Sequence, residues 1–99
     1  MYDDRKWQAK RKTILRRDKY ICQECKRYGK MREGNHVHHI YPYEFYPEYA
    51  YSDWNLITLC QSCHNKMHDR ESHKLTNEGK TLAKRVRMKL KNIHTPPLI

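Results

Sequence analysis

The sequence predicts a small α+β domain with basic helices on both flanks, and three observations carry that prediction. Helix-forming basic stretches occupy the two ends, two short β-prone runs lie between them, and four cysteines in two C-x-x-C pairs bracket those runs. At 99 residues the chain is read as one domain, 1–99. Its Ile, Leu, Val and Phe number only sixteen against a formal net charge of +10. A chain so poor in large apolar side chains cannot offset its conformational entropy by burial alone, and by composition it would be disordered. Something else must hold it together.

The first element is a helix over about 5–18, built from good helix formers, with Trp7, Ile14 and Leu15 able to share a face. Asp18 to Tyr20 close that run ahead of the first cysteine pair, Cys22 and Cys25, and Gly29 and Gly34 mark the loop that follows. The run 36–41 (His-Val-His-His-Ile-Tyr) is β-like and stops at Pro42; Leu56 to Leu59 form a second run leading into Cys60 and Cys63. The two runs are expected to pair as an antiparallel ribbon. After Cys63 the stretch 64–70 lacks Gly and Pro and is compatible with a helix starting at the second pair. Leu82, Val86, Leu90 and Ile93 then recur at steps of four, four and three, an apolar stripe on a second basic helix over about 78–91, ahead of Pro96 and Pro97.

The cysteines supply the missing staple. Cys22 and Cys25, then Cys60 and Cys63 after thirty-four intervening residues, can each present two thiolates from a tight turn, and together they complete a closed tetrahedral shell for structural zinc. Such a site contributes on the order of 10–16 kcal/mol to folding. Two disulfides or a redox pair are the alternatives, but no apolar targeting stretch points to an oxidising compartment. No run is long enough to span a bilayer. The protein is therefore read as soluble and cytoplasmic, with no membrane partner, no organic cofactor, and a monomeric state expected.

Charge is segregated. Residues 5–19 hold eight Lys/Arg against one Asp, and 74–91 hold seven against one Glu, whereas 33–65 contain no Lys or Arg but four acidic residues and four histidines. Basic ends suit a polyanion, and Arg5, Lys6, Lys10, Arg11, Arg16, Arg17, Lys84 and Arg85 are the candidate DNA contacts; solvated helix faces are the bland alternative. A centre without fixed positive charge suits a divalent cation. His64 and His68, four apart, would lie on one helical face and could grip a single ion. His38 and His39 alternate on a strand, so both can serve one site only where the strand ends or twists.

Val37-His38-His39-Ile40, then Asn55-Leu56, Leu59-Cys60-Gln61-Ser62-Cys63-His64-Asn65 and His68, taken together over residues 20–70, resemble the HNH endonuclease family with its ββα-metal fold. The basic N-terminal helix and small size are similar to HNH proteins that tailed phages encode beside their terminase genes. The resemblance implies a metal-dependent endonuclease that hydrolyses DNA phosphodiester bonds to a 5′-phosphate and a 3′-hydroxyl. It implies His38, His64 and His68 as ligands of the catalytic ion, His39 as general base, and Asn55 as the residue that ties the inter-strand loop and aligns His39. It also implies a host-cytoplasm setting and a terminase partner.

Two features depart from the family pattern or stand outside it. Many members carry Asp where this chain has His38, and an all-imidazole site favours Mn2+, Ni2+, Co2+ or Zn2+ over Mg2+. The loop from Tyr41 to Tyr51 carries five tyrosines and Phe45; it could stack on unpaired bases, but packing that supplements a thin core is favoured. His36, His73 and His94 have no family role and are expected at the surface. A non-catalytic zinc ribbon that binds nucleic acid, and an interaction protein using the Leu82 stripe, are the rival classes.

Overall fold

The computed structural model describes residues 4–90 and 96–99. They pack as two compact units, Met1–Asn65 and Lys66–Ile99. The first begins with α1, Arg5–Arg17, whose Asp4 side chain accepts the Trp7 N–H as N-cap. Trp7, Ile14 and Leu15 are its buried residues, as the 3.6-residue period predicts. The helix ends in a Schellman turn: Tyr20 N–H donates to the Leu15 carbonyl and Lys19 N–H to that of Arg16. Lys19 and Tyr20 both adopt φ near +57°, at 57° and 56°, where glycine is the usual occupant.

That reversal delivers the chain to the first cysteine pair. Cys22 caps a one-turn helix, α2 (Gln23–Arg27), and Gly34 returns the loop so closely that a Cβ there would lie 2.8 Å from the Thr58 methyl and 2.9 Å from the Cys22 nitrogen. Strand β1 (His36–His39) then pairs antiparallel with β2 (Leu56–Leu59), His36 opposite Leu59 and His39 opposite Leu56. The ribbon is the one expected, although β1 stops at His39. A third helix, α3 (Gln61–Asn65), follows Cys60 directly.

The core of this unit is small, and aromatic rings enlarge it. Trp7, Ile14 and Leu56 cluster with the half-buried Val37 and Tyr51. Tyr41, fully buried, meets Tyr46, Tyr49 and Trp54 edge-on at centroid separations of 5.1, 5.8 and 5.8 Å. The tyrosine-rich loop therefore packs on itself, while Tyr43 and Phe45 remain exposed. Arg17 ties helix to ribbon: its guanidinium donates to the Asp18 carboxylate and to the carbonyls of Asp53 and Leu56, and Asp18 in turn accepts the Thr58 N–H.

In the second unit His68 bridges to Leu75 across a turn held by Asp69, whose carboxylate accepts the N–H groups of Glu71 and Ser72. The last helix, α4 (Asn77–Leu90), starts at Thr76, whose hydroxyl accepts the Gly79 N–H. Gly79 has to be glycine, because a Cβ would lie 2.4 Å from the Met67 carbonyl oxygen. Met67, Leu82, Ala83 and Pro96 are buried. Of the predicted stripe, Leu82 is buried and Val86 and Leu90 are half-buried, while Ile93 lies outside the described residues. Among the described residues no helix is long and apolar enough to cross a membrane.

Candidate active site

The two cysteine pairs converge. Sγ atoms of Cys22, Cys25, Cys60 and Cys63 all lie within 4.8 Å of one another, and none is in a disulfide. Cys25 stands 3.9 Å from Cys60 and 3.7 Å from Cys63. Four thiolates at about 2.3 Å from a tetrahedral ion sit roughly 3.8 Å apart, so the cluster fits a metal of that size. The electrostatics agree. Burial pushes the Cys25 and Cys63 thiols up, and neighbouring thiols add to it. Burial also pushes on Cys60, but the Cys63 backbone N–H and the surrounding thiols outweigh it and draw Cys60 down to about 7. The thiolate is thus favoured at Cys60 and opposed at Cys25 and Cys63; a divalent cation is what would allow neighbouring thiolates to coexist.

The ribbon and the helix that follows it bring imidazoles together. His38, 1% exposed, points from β1 toward His64 on α3, with ring centroids 5.5 Å apart and planes inclined at 68°. Two imidazoles bound at about 2.1 Å to one ion place their centroids roughly 5 Å apart, so this pair fits a shared cation. His36, two residues earlier on β1, lies flat against His64 at 5.2 Å and 17°. Surface placement was expected for it; the strand period, which puts 36 and 38 on one face, was the signal that could have found it.

His68 is placed differently from the helical expectation. Helix α3 stops at Asn65, and His68 follows three residues into the second unit on its bridge to Leu75. The segment after Asn65 bonds across to 74–76 and leaves the helical pattern: Asp69 N–H donates to the Lys74 carbonyl, and Thr76 donates to the carbonyls of Lys66 and Met67. Burial, helped by the nearby His73, holds the His68 imidazolium form down, which favours the neutral ring.

His39 sits beside this pair, 5% exposed. Its Nε2 lies 3.0 Å from the Ala50 carbonyl oxygen, which can only accept, so Nε2 carries the proton and Nδ1 is the basic nitrogen. Ala50 is held there by Asn55, which is fully buried. The Asn55 side-chain oxygen accepts the Tyr41 N–H at 2.7 Å, and its amide donates to the carbonyls of Tyr41 at 3.1 Å and Tyr49 at 3.0 Å. One side chain thus pins both ends of the aromatic loop, and the residue after Tyr49 meets His39. Trp7 stacks on the other side of the His39 ring at 4.9 Å and 21°. Neither the Ala50 carbonyl nor the Trp7 stack was legible in the sequence, since a main-chain acceptor has no residue signature and Trp7 read as core.

The basic candidates divide. Arg5, Lys6 and Arg16 are exposed on α1, and Lys6 lies over the Tyr51 ring at 4.1 Å. Arg11 donates to the Asn35 carbonyl, Lys10 pairs with Asp53, and Arg17 is engaged with the ribbon as described above. On α4, Lys84 is exposed and Arg85 half-buried. His73 is exposed, and His94 lies outside the described residues.

The sequence profile of the HNH endonuclease family matches residues 22–70. A search of curated proteins finds no match. The fold also matches a crystal structure of the HNH endonuclease of the deep-sea thermophilic bacteriophage GVE2, solved with manganese ion. That protein is 36% identical over 65% of this chain and 70% of its own, with a TM-score of 0.64. Likeness at that level in sequence and fold together is descent, and the chain belongs to the HNH endonuclease family, a nuclease of the ββα-metal fold.

Proposed function

We propose that this nuclease hydrolyses DNA phosphodiester bonds with His39 as general base and with His38, His64 and His68 holding a catalytic divalent ion. The observation that carries the reading is the 3.0 Å contact of His39 Nε2 with the Ala50 carbonyl, next to the Tyr49 carbonyl that Asn55 holds; an acceptor there selects the tautomer with Nδ1 free of its proton. In that state Nδ1 takes the proton of the attacking water. The Nε2–H bond to Ala50 then strengthens, because the donor becomes cationic. Asn55 acts by position only, keeping the loop from drifting as the ring charges. When bound, the ion neutralises charge developing on the non-bridging and leaving oxygens. The products are a 5′-phosphate and a 3′-hydroxyl. Zinc in the four-cysteine shell is structural, with no position left for substrate.

Exposed Arg5, Lys6, Arg16 and Lys84, with Lys10, Arg11, Arg17 and Arg85 nearby in sequence, supply the contacts to DNA phosphates. Likeness to a bacteriophage nuclease supports a phage setting in the host cytoplasm and cooperation with a terminase subunit in DNA packaging. Residues 1–99 are taken to act as one nuclease domain. Adding single metals back to protein briefly stripped with EDTA tests the ligand set on a supercoiled plasmid. Mn2+, Co2+, Ni2+ or Zn2+ should restore cutting ahead of Mg2+, in keeping with imidazole ligands. Full activity with Mg2+ while Mn2+ and Ni2+ fail would contradict the assignment.

A further inference from the structure

Trp7 lies outside the 22–70 window that the family profile matches, on a helix that precedes the first cysteine pair. It is 3% exposed and packs in the small core with Ile14 and Leu56, yet one face of its indole lies against the His39 imidazole, nearly parallel at 4.9 Å. Two constraints fix a planar ring: one on its plane and one on its direction within that plane. The Ala50 carbonyl, 3.0 Å from Nε2, supplies the second. Rotation about the bond from Cβ to the ring is soft, so a group lying flat against the ring is what fixes its plane. The indole is that group.

We propose that Trp7 is a positioning residue for the general base, so that α1 completes the active site and is not merely its basic flank. The surroundings reinforce this role. Tyr51, the residue after Ala50, meets Trp7 edge-on at 6.4 Å, its hydroxyl donates to Asp4 at 3.4 Å, and Lys6 covers its ring. The first turn of α1 therefore holds both the ring and the segment that carries its hydrogen-bond acceptor. Stacking of this kind adds little stability beyond burial, but a base displaced by about 1 Å loses on the order of 100-fold in rate. The catalytic loss should thus exceed the stability loss.

The inference rests on the general-base reading of His39, and the experiment separates the two. Zinc- and manganese-loaded Trp7→Leu, Trp7→Phe and His39→Ala are compared with wild type on plasmid DNA, with kcat normalised to the folded fraction. Trp7→Leu, which keeps apolar volume but removes the ring, should lower kcat at least tenfold while KM and DNA affinity stay within about twofold. Trp7→Phe, which restores a ring face, should recover kcat to within about threefold. In 15N-edited NMR, His39 should keep one tautomer in wild type and Trp7→Phe, and average between tautomers in Trp7→Leu. Equal kcat per folded molecule for Leu and Phe, or an unchanged His39 tautomer in Trp7→Leu, would reduce Trp7 to core packing. If Trp7→Leu fails to fold, the Trp7→Phe tautomer and kcat alone decide, and a tenfold loss there overturns the stack. An active His39→Ala would instead overturn the general-base reading itself.

Discussion

At the scale of single residues, Asn55 connects fold to chemistry. It is fully buried and makes three hydrogen bonds to backbone groups of Tyr41 and Tyr49. Replacing it with alanine leaves a buried N–H and two carbonyls unsatisfied, each costing about 1–3 kcal/mol, less what relaxation and water recover. Asn55→Ala should therefore lose roughly 2–4 kcal/mol in denaturant unfolding and about 100-fold in plasmid cleavage, because the Ala50 acceptor moves off His39. Full activity in a destabilised variant would separate loop closure from alignment of the base. The tie to the loop was legible from the position of Asn55 between the runs. The route through Ala50 was not, since it runs through a carbonyl that any residue provides.

At the scale of elements, the ends matter more than the middles. Helix α1 and both strands were readable because their periods are 3.6 and 2, and Trp7, Ile14, Leu15 and Leu56 fall where those periods place them. The end of α3 was not readable, because 64–70 lacks the usual breakers; residues 66–69 instead bond to 74–76, a pairing distant in sequence. The C-terminal turn of α1 invites a test. Lys19 occupies left-handed backbone at φ 57°, which costs an L-residue roughly 1–2 kcal/mol relative to glycine, partly offset by glycine's greater unfolded-chain entropy. Lys19→Gly should stabilise by about 0.5–1 kcal/mol, a rise of roughly 2–8 °C in Tm for a domain this size. A lower Tm would mean the lysine side chain itself holds the turn.

At the scale of the whole molecule, a net charge of +10 and sixteen large aliphatic or phenylalanine side chains leave little to oppose chain entropy. The structure answers with rings that pack on one another around Tyr41 and with four thiols in one shell. Both devices were anticipated, the shell from cysteine spacing and the aromatic cluster from the need for apolar area. A metal in that shell would contribute on the order of 10–16 kcal/mol, as large as the roughly 5–15 kcal/mol net stability of ordinary domains. If the proposed zinc fills that shell, a strong zinc chelator should remove much of the helical circular dichroism of the protein, and adding zinc should restore it. Retention of that signal without metal would show that aromatic packing suffices.

His39, oriented by a main-chain carbonyl, is proposed to do the proton transfer in a site whose fold and DNA binding do not depend on it. Plasmid cleavage by His39→Ala, measured with zinc content and DNA affinity on the same sample, tests it most directly. Cutting should fall by about 100-fold or more, with stoichiometric zinc and unchanged affinity. Cutting at the wild-type rate by a folded, zinc-loaded His39→Ala would contradict it.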